Sequence, residues 1–143
     1  MKIALGADHG GFNYKNKIKE YLVSTGIEVL DVGTFSAESC DYPDIAHKVA
    51  KSVASGDAEK GILVCGTGIG MSIAANKIFG IRAALCSDTF SAKATREHND
   101  SNILCLGERA IGEGLMLEIV KVWLETPFSN EERHKRRIDK IEI

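Results

Sequence analysis

The sequence has no long apolar run and no excess of basic residues, and each absence excludes a class of protein. No apolar stretch approaches the length of a membrane-spanning helix. Lys and Arg number 18 against 20 Asp and Glu, which gives a net charge of −2. Such a chain has no overall attraction for nucleic acid or for an anionic membrane. Because residues 1–6 also have too few apolar positions for a signal peptide, we expect a cytoplasmic protein with neither nucleic-acid nor membrane partners.

Cysteines are also few, and none of them forms a Cys-x-x-Cys pair. The four are Cys40, Cys65, Cys86 and Cys105, a spacing that argues against zinc sites and dithiol redox sites. Cys86 and Cys105 fall within apolar runs and are expected to be inert core residues, whereas Cys40 lies in a polar loop. Cys65 differs from the others because a glycine-rich stretch follows it directly.

No linker, internal repeat or low-complexity segment divides the 143 residues. We therefore expect one domain, 1–143, whose charged tail, 130–143, is helical from residue 129 or 130. Strands are predicted at 2–7, 27–32, 61–65, 81–86 and 102–106, and helices at 12–25, 43–55, 71–75, 88–98 and 112–124. This alternation predicts an α/β fold, a single doubly wound (Rossmann-like) domain with helices on both faces of a five-stranded parallel sheet. We expect the strand order 2-1-3-4-5.

A glycine-rich loop directly follows the buried strand that ends at Cys65. The loop consists of Gly66, Thr67, Gly68, Ile69 and Gly70. Glycines let the backbone approach a ligand and direct several N–H groups at it, and the helix start that follows favours anions and stabilises a thiolate. We expect this loop to supply a base and donors for an oxyanion. The alternative is a buried cysteine that simply ends a core strand.

The loop does not match three familiar motifs. A Walker A loop requires Gly-Lys-Ser/Thr, which is absent. Met71 occupies the place of the last glycine in a Gly-x-Gly-x-x-Gly fingerprint, and of the arginine in a cysteine-phosphatase loop.

A second chemically active segment follows the first predicted strand. Asp8 and His9 come directly after it, and ligands of doubly wound sheets bind where strands 1 and 3 end side by side. The alternative is an aspartate that caps a helix beside an exposed histidine. Tyr42 lies in the loop after strand 2 at the same sheet edge, where it lines the site or packs on Pro43.

His98 and Asn99 precede the fifth strand and therefore belong to the opposite edge of the sheet. A strand of five residues spans about 17 Å, too far for His98 to act with Cys65 of the same chain. We expect His98 to serve the site of a second subunit, in a homodimer with shared active sites. The alternative is a polar helix end, where a histidine suits the helix dipole.

A basic cluster, 133–137, stands out in a chain of slightly negative charge. Arg133 and Arg137 are spaced i, i+4 on a predicted helix and can face one anion together. Arg109, after the fifth strand, is a weaker candidate for the same anion. The alternatives are a solvated helix for the cluster and a surface loop position for Arg109.

Several of these motifs together resemble the type B ribose-5-phosphate isomerases. The matching segments are Asp8-His9-Gly10-Gly11-Phe12, Asp41-Tyr42-Pro43-Asp44, the stretch 61–77, Gly80-Ile81-Arg82-Ala83, His98-Asn99-Asp100, and Arg133-His134 with Arg137. The family also includes allose-6-phosphate isomerases and subunits of galactose-6-phosphate isomerase. One departure is Glu131-Glu132, where glycines are common in the family.

The resemblance implies an aldose–ketose isomerase of the pentose phosphate pathway that acts through a cis-enediolate without metal or organic cofactor. It implies Cys65 as the base and His98, assisted by Asp8 and Thr67, as the acid/base that opens the sugar ring. Asn99 would hold substrate oxygens. The phosphate would meet His9, Arg133 and Arg137, with Arg109 as the weaker candidate.

Three alternatives to a five-carbon isomerase stay open at this point. A six-carbon sugar phosphate such as allose 6-phosphate would use the same chemistry. A phosphosugar- or nucleotide-binding module without catalysis would share the fold. A redox-sensing Cys65 would need a resolving thiol, for which the sequence offers no obvious candidate. Pairing of dimers into a tetramer is also left open.

Overall fold

The computed structural model describes residues 1–143 as one parallel five-stranded sheet between two layers of helices. The elements, in chain order, are β1 (Lys2–Ala7), α1 (Phe12–Ser24), β2 (Glu28–Asp31), α2 (Tyr42–Ala54), β3 (Lys60–Cys65), α3 (Ile69–Ala75), β4 (Ala83–Leu85), α4 (Thr89–Asn99), β5 (Ile103–Gly107), α5 (Glu113–Glu125) and α6 (Glu132–Ile141). The predicted α/β fold class is confirmed. None of the six helices has the length and apolar character that a membrane crossing requires.

The strand order is β2-β1-β3-β5-β4, so the predicted order 2-1-3-4-5 is wrong at its far end. β5 pairs with both β3 and β4 and is buried along its whole length. β4 has only three residues, and its Leu85 is 40% exposed, which suits an edge strand. Both orders leave β1 beside β3, so the site expected where these two strands end side by side is unaffected.

Each face of the sheet carries its own apolar core. On one face, α1 and α5 pack through residues such as Ile18, Leu22 and Trp123. On the other face, α2 and α3 pack through residues such as Val49 and Met71. Because strands that are buried on both faces read as continuous apolar runs, β3 and β5 were recognisable in the sequence.

Two boundaries differ from expectation in ways that matter for the site. Tyr42 is the first residue of α2, not a loop residue, because the extended Asp41 precedes it and Pro43 suits the first helical turn. The tail helix begins at Glu132, later than predicted. Asn130 adopts a left-handed conformation, with φ of 59°, which keeps the preceding residues out of the helix.

A buried ion pair fastens α1 to the end of β2. Lys15 Nζ donates to both carboxylate oxygens of Asp31 at 2.9 Å, and the two side chains are 1% and 9% exposed. Gly33 N–H also donates to Asp31 Oδ1. Burial alone raises the pKa of Asp31, but the hydrogen bonds from Lys15, Gly33 and Lys19 outweigh it and lower the pKa below 3.8.

Replacing Lys15 by Met should lower the free energy of unfolding by about 3 kcal/mol, because it leaves a buried carboxylate without its main partner. Lys19→Met is the matched control. Its Nζ contacts the same carboxylate at 3.2 Å but is 45% exposed, so its loss should cost less than about 1 kcal/mol. Urea unfolding at pH 7 measures the free energy of unfolding of both variants. Equal losses would contradict the assignment of Lys15 as the main partner of Asp31.

The pH dependence of the Lys15→Met effect has a definite sign. A carboxyl whose folded pKa is depressed contributes stability that is present above its unfolded pKa and is lost as the pH falls through the folded value. The difference in free energy of unfolding between wild type and Lys15→Met should therefore narrow as the pH falls below 3.8. A gap that is unchanged down to pH values of about 2 would contradict this.

Candidate active site

The carboxyl ends of β1 and β3 bring two predicted segments into contact. Ala7 pairs with Val64 in the sheet, and Asp8 N–H donates to Val64 O. Gly10 lies against Gly66, since a Cβ at position 10 would be 3.1 Å from Gly66 N. Asp8 is 7% exposed, and its Oδ1 accepts a hydrogen bond from Gly10 N–H at 2.8 Å.

Cys65 ends β3 with its thiol folded back onto the following loop. Its Sγ accepts a hydrogen bond from Gly68 N–H at 3.1 Å, and the residue is 6% exposed. Gly68 has φ of +79°, and a Cβ there would meet the backbone of Leu106. Glycine is thus required at position 68 to turn its N–H toward the sulfur, where it stabilises negative charge.

Other backbone donors of the loop remain available to a ligand. The N–H groups of Gly66, Thr67 and Gly70 have no acceptor within the chain, whereas Ile69 N–H donates to Thr67 Oγ1 at 3.2 Å. Three unpaired amides beside a thiol can stabilise a developing oxyanion.

His9 is oriented by the loop that joins β2 to α2. Its Nδ1 accepts a hydrogen bond from Cys40 N–H at 3.2 Å. Because an amide can only donate, Nδ1 is unprotonated and the ring proton is on Nε2. His9 therefore offers one N–H donor at this edge, as an anion site requires.

Tyr42 reaches the same edge through α2. A Cβ at Gly70 would lie 2.5 Å from Tyr42 Cε1 and 2.6 Å from Cζ, so the ring rests directly on this glycine. The sequence left open whether Tyr42 lines the site or packs on Pro43, and the ring is seated on the glycine-rich loop.

Arg109 also belongs to the Cys65 edge. Its backbone N–H donates to Gly66 O at 3.0 Å, and the neighbouring Glu108 N–H donates to Cys65 O at 2.9 Å. The guanidinium lies beside Gly66, with Nη1 3.3 Å from the position a Cβ would occupy. Arg109 is exposed and can meet an anion there.

The remaining predicted residues form a second cluster at the opposite end of the sheet. His98 and Asn99 close α4 just before β5 begins. With Arg133, His134 and Arg137 of α6 they line a cavity of about 410 Å³. His98 is exposed, and no group of the chain hydrogen-bonds its ring nitrogens. Within one chain, the arginines therefore do not meet His9 or Arg109.

Two arginines hold the turn that carries His98 and Asn99. Arg82 donates to Asn99 O at 2.8 Å and to Asp100 O at 2.9 Å. Arg96 donates to Asp100 Oδ1 at 2.8 Å. Asp100 has φ of 44°, a conformation that few non-glycine residues adopt without such support. Neither of these two arginine side chains was predicted to have a role.

The other buried thiols are unsuited to act as bases. Burial, followed by the charge of Asp88, raises the pKa of Cys86 to about 11. Complete burial also raises the pKa of Cys105. Both thiols stay protonated at neutral pH, and their predicted place in the core is confirmed. No group of three His, Cys, Asp or Glu side chains is arranged to hold a metal ion.

A nearly buried thiol beside unpaired amides, with a carboxylate and an imidazole at the same sheet edge, suits proton transfer next to a carbonyl. Residues 3–141 match the family model described as Ribose/Galactose Isomerase. The chain belongs to the ribose/galactose isomerase family, and the predicted family and isomerase class are confirmed.

Individual relatives are similar over almost the whole chain. A putative sugar phosphate isomerase of Bacillus subtilis is 58% identical over 142 residues, covering 99% of this chain and 95% of the relative. Ribose-5-phosphate isomerase B of Escherichia coli is 49% identical over 140 residues, covering 98% and 93%. The structure of Clostridium thermocellum ribose-5-phosphate isomerase B superposes with a TM-score of 0.98 at 53% identity, covering 99% and 95%.

The effect of Gly70→Ala on the free energy of unfolding should change sign when Tyr42 is removed, which would reveal the contact between the two residues. In wild type, the added methyl displaces the ring and should destabilise the protein by about 1 kcal/mol or more. In a Tyr42→Ala background the clash is gone, and the better helix propensity of Ala within α3 should stabilise by up to about 1 kcal/mol. Thermal and urea unfolding of the four proteins measure this coupling.

Gly114→Ala is the matched control, because Gly114 is also helical and a Cβ there meets nothing within 4 Å. It should stabilise by a similar amount in both backgrounds. If Gly70→Ala behaves in the same way as Gly114→Ala, the Tyr42 ring does not rest on the loop in solution.

Proposed function

We propose that the chain interconverts ribose 5-phosphate and ribulose 5-phosphate, an aldose–ketose isomerisation of the pentose phosphate pathway, with Cys65 as the base. The observation that carries this proposal is the Cys65 thiol, held among unpaired backbone N–H groups at the end of β3. One loop thus offers a base and oxyanion donors. The Escherichia coli and Clostridium thermocellum relatives are both named ribose-5-phosphate isomerase B, which supports the five-carbon substrate.

The proposed chemistry uses the open-chain aldose. The thiolate of Cys65 removes the proton from C2, and the electron pair forms the C1–C2 double bond of a cis-enediolate while the C1 oxygen becomes negative. The Cys65 thiol then returns this proton to C1, and transfer of the C2 hydroxyl proton to the C1 oxygen gives the ketose. Gly68 N–H stabilises the thiolate, and the amides of Gly66, Thr67 and Gly70 stabilise the oxygen charge.

Ribose 5-phosphate is mostly a ring in water, so the ring must open before proton transfer. We assign this general acid/base step to His98, whose ring nitrogens are unbonded within the chain. Asp8 and Thr67 assist at the Cys65 loop, and Asn99 holds substrate oxygens.

A complete site then requires a second subunit. In one chain His98 and Cys65 lie at opposite ends of the sheet, separated by roughly the 17 Å length of a five-residue strand. We propose a homodimer in which His98 and Asn99 of the partner subunit complete the Cys65 site. Assembly of dimers into a tetramer stays a prediction.

An exposed apolar surface next to the Cys65 loop supports this pairing. Ile69 and Ile73 share a face of α3 and are 51% and 59% exposed. Leu85 adjoins the loop, since its Cδ1 lies 2.6 Å from where a Cβ of Gly68 would be. Burying such side chains favours association, and a second copy seated there lies directly beside the site.

The phosphate would be shared in the same way. His9 Nε2–H and Arg109 face it from the Cys65 edge, and Arg133 and Arg137 of the partner subunit face it from the other side. Because the phosphate does not react, its binding energy can hold the sugar in the reactive pose.

Three further features stay predictions from the sequence. They are a cytoplasmic location, the lack of nucleic-acid and membrane partners, and catalysis without metal or organic cofactor. The mechanism above uses only groups of the chain itself.

Cys65→Ala should lower kcat for ribose 5-phosphate by about 10²- to 10⁴-fold, because it removes the general base. The Kd for the substrate, measured by calorimetry, should change little, since backbone N–H groups and arginines supply the binding. Allose 6-phosphate should be assayed beside ribose 5-phosphate, and a preference for it would keep the mechanism but change the substrate.

Cys86→Ala is the matched control, as a second buried cysteine outside the site, and should keep wild-type kcat. If Cys65→Ala loses binding together with turnover, Cys65 has a structural role. If wild type turns over neither sugar, a binding module becomes the better account.

Shared sites can be tested by mixing two inactive variants, Cys65→Ala and His98→Asn, under conditions of subunit exchange. In a mixed dimer one site carries both substitutions and the other carries neither. Since half of the dimers are mixed, activity should recover to about a quarter of the wild-type value. Sites contained within single chains would give no recovery, because every site would then carry one substitution.

A further inference from the structure

The cavity at the amino-terminal end of the sheet contains a side chain to which the proposed mechanism gives no role. His134 of α6 stacks on His98 of α4, with ring centroids 4.7 Å apart and planes inclined by 37°. His134 is 5% exposed, whereas His98 is exposed. The face of His98 that is turned to the protein therefore rests on His134.

His134 is itself fixed by the segment that precedes α6. Ser129 Oγ lies 2.6 Å from His134 Nδ1. Glu131 N–H donates to Ser129 Oγ, which leaves the hydroxyl hydrogen free to donate to Nδ1. Ser129 N–H donates to Glu97 O, the residue before His98. One short network thus links the backbone of α4 to the ring that supports His98.

The charges around His134 favour an uncharged ring. Burial lowers its pKa below 6.5, and His98, Arg133 and Arg137 act in the same direction against the carboxylate of Glu131. The Phe128 ring, 6.5 Å away, adds an apolar neighbour. An aromatic hydrocarbon can therefore reproduce the supporting face of His134.

We propose that His134 is a positioning residue for His98, holding its imidazole by ring stacking in the orientation that the ring-opening step needs. The inference rests on the proposed function, because it assumes that His98 opens the sugar ring. An imidazole on a helix end would otherwise sample several rotamers, and small displacements of an acid/base cost large factors in rate.

The test compares His134→Ala, which removes the supporting face, with His134→Phe, which keeps it. With ribose 5-phosphate, kcat should fall about tenfold or more in His134→Ala and stay within about threefold of wild type in His134→Phe. The Kd for inorganic phosphate should stay within about twofold of wild type in both variants. Lys135→Ala, an exposed neighbour on α6, is the matched control and should match wild type.

A second substrate isolates the ring-opening step. D-erythrose 4-phosphate cannot close to a furanose, because the hydroxyl required carries the phosphate. Turnover of this substrate should survive in both His134→Ala and His98→Asn.

Each other outcome overturns the inference in a recognisable way. A weaker Kd for phosphate in both His134 variants, with kcat retained, would make His134 a phosphate ligand. An equal loss of kcat in His134→Ala and His134→Phe would exclude support by ring stacking. If His98→Asn itself retains turnover of ribose 5-phosphate, the proposed role of His98 fails. If His98→Asn loses this turnover but His134→Ala keeps wild-type kcat, only the positioning role of His134 fails.

Discussion

The register of β3 between β1 and β5 is the constraint on which the candidate site depends. Cys65 pairs with Gly107 across the sheet. The loops that follow β1, β3 and β5 therefore begin at the same edge of the sheet and touch one another. Their contact is close enough that a Cβ at Gly11 would collide with the backbone of Val64, and one at Gly107 with the backbone of Thr67. A slip of one residue would turn the thiol to the other face. The close approach of these loops, on which the proposed chemistry depends, is therefore a consequence of strand pairing and of small residues at the contacts.

Much of this edge could be predicted because its signals are local. Continuous apolar runs indicate buried parallel strands, and the residues directly after each run must lie at the carboxyl edge of the sheet. Asp8, Cys65 and the glycine-rich loop were assigned on that basis, and the structure brings them together. The separation of His98 from Cys65 was inferred in the same way, from the direction of a helix that returns to the start of the next strand.

The features that were missed depend on contacts between distant segments. The order of β4 and β5 depends on which of the two strands has a neighbour on both edges. Arg82, within the predicted strand 81–86, was a signal that this segment is the less buried one. His134 was counted among charged neighbours. Its spacing from Ile138 and Ile141, which line the same cavity, places it on the inward face of α6. Only the packing of α6 on α4 shows that it meets His98.

The departure at Glu131 has a definite place in this arrangement. Its Oε2 lies 2.9 Å from Arg133 Nε, and the two side chains are 52% and 58% exposed. An ion pair so accessible to water is worth about 1 kcal/mol or less, whereas the phosphate dianion of the proposed substrate would meet Arg133 and Arg137 together with charge-assisted hydrogen bonds. Under the proposed function, the dianion would therefore displace the Glu131 carboxylate from Arg133 at small cost. Glu131 also supplies the N–H that orients Ser129, a backbone contribution that its side chain does not alter, so the arginines and the support beneath His98 are both retained in this chain.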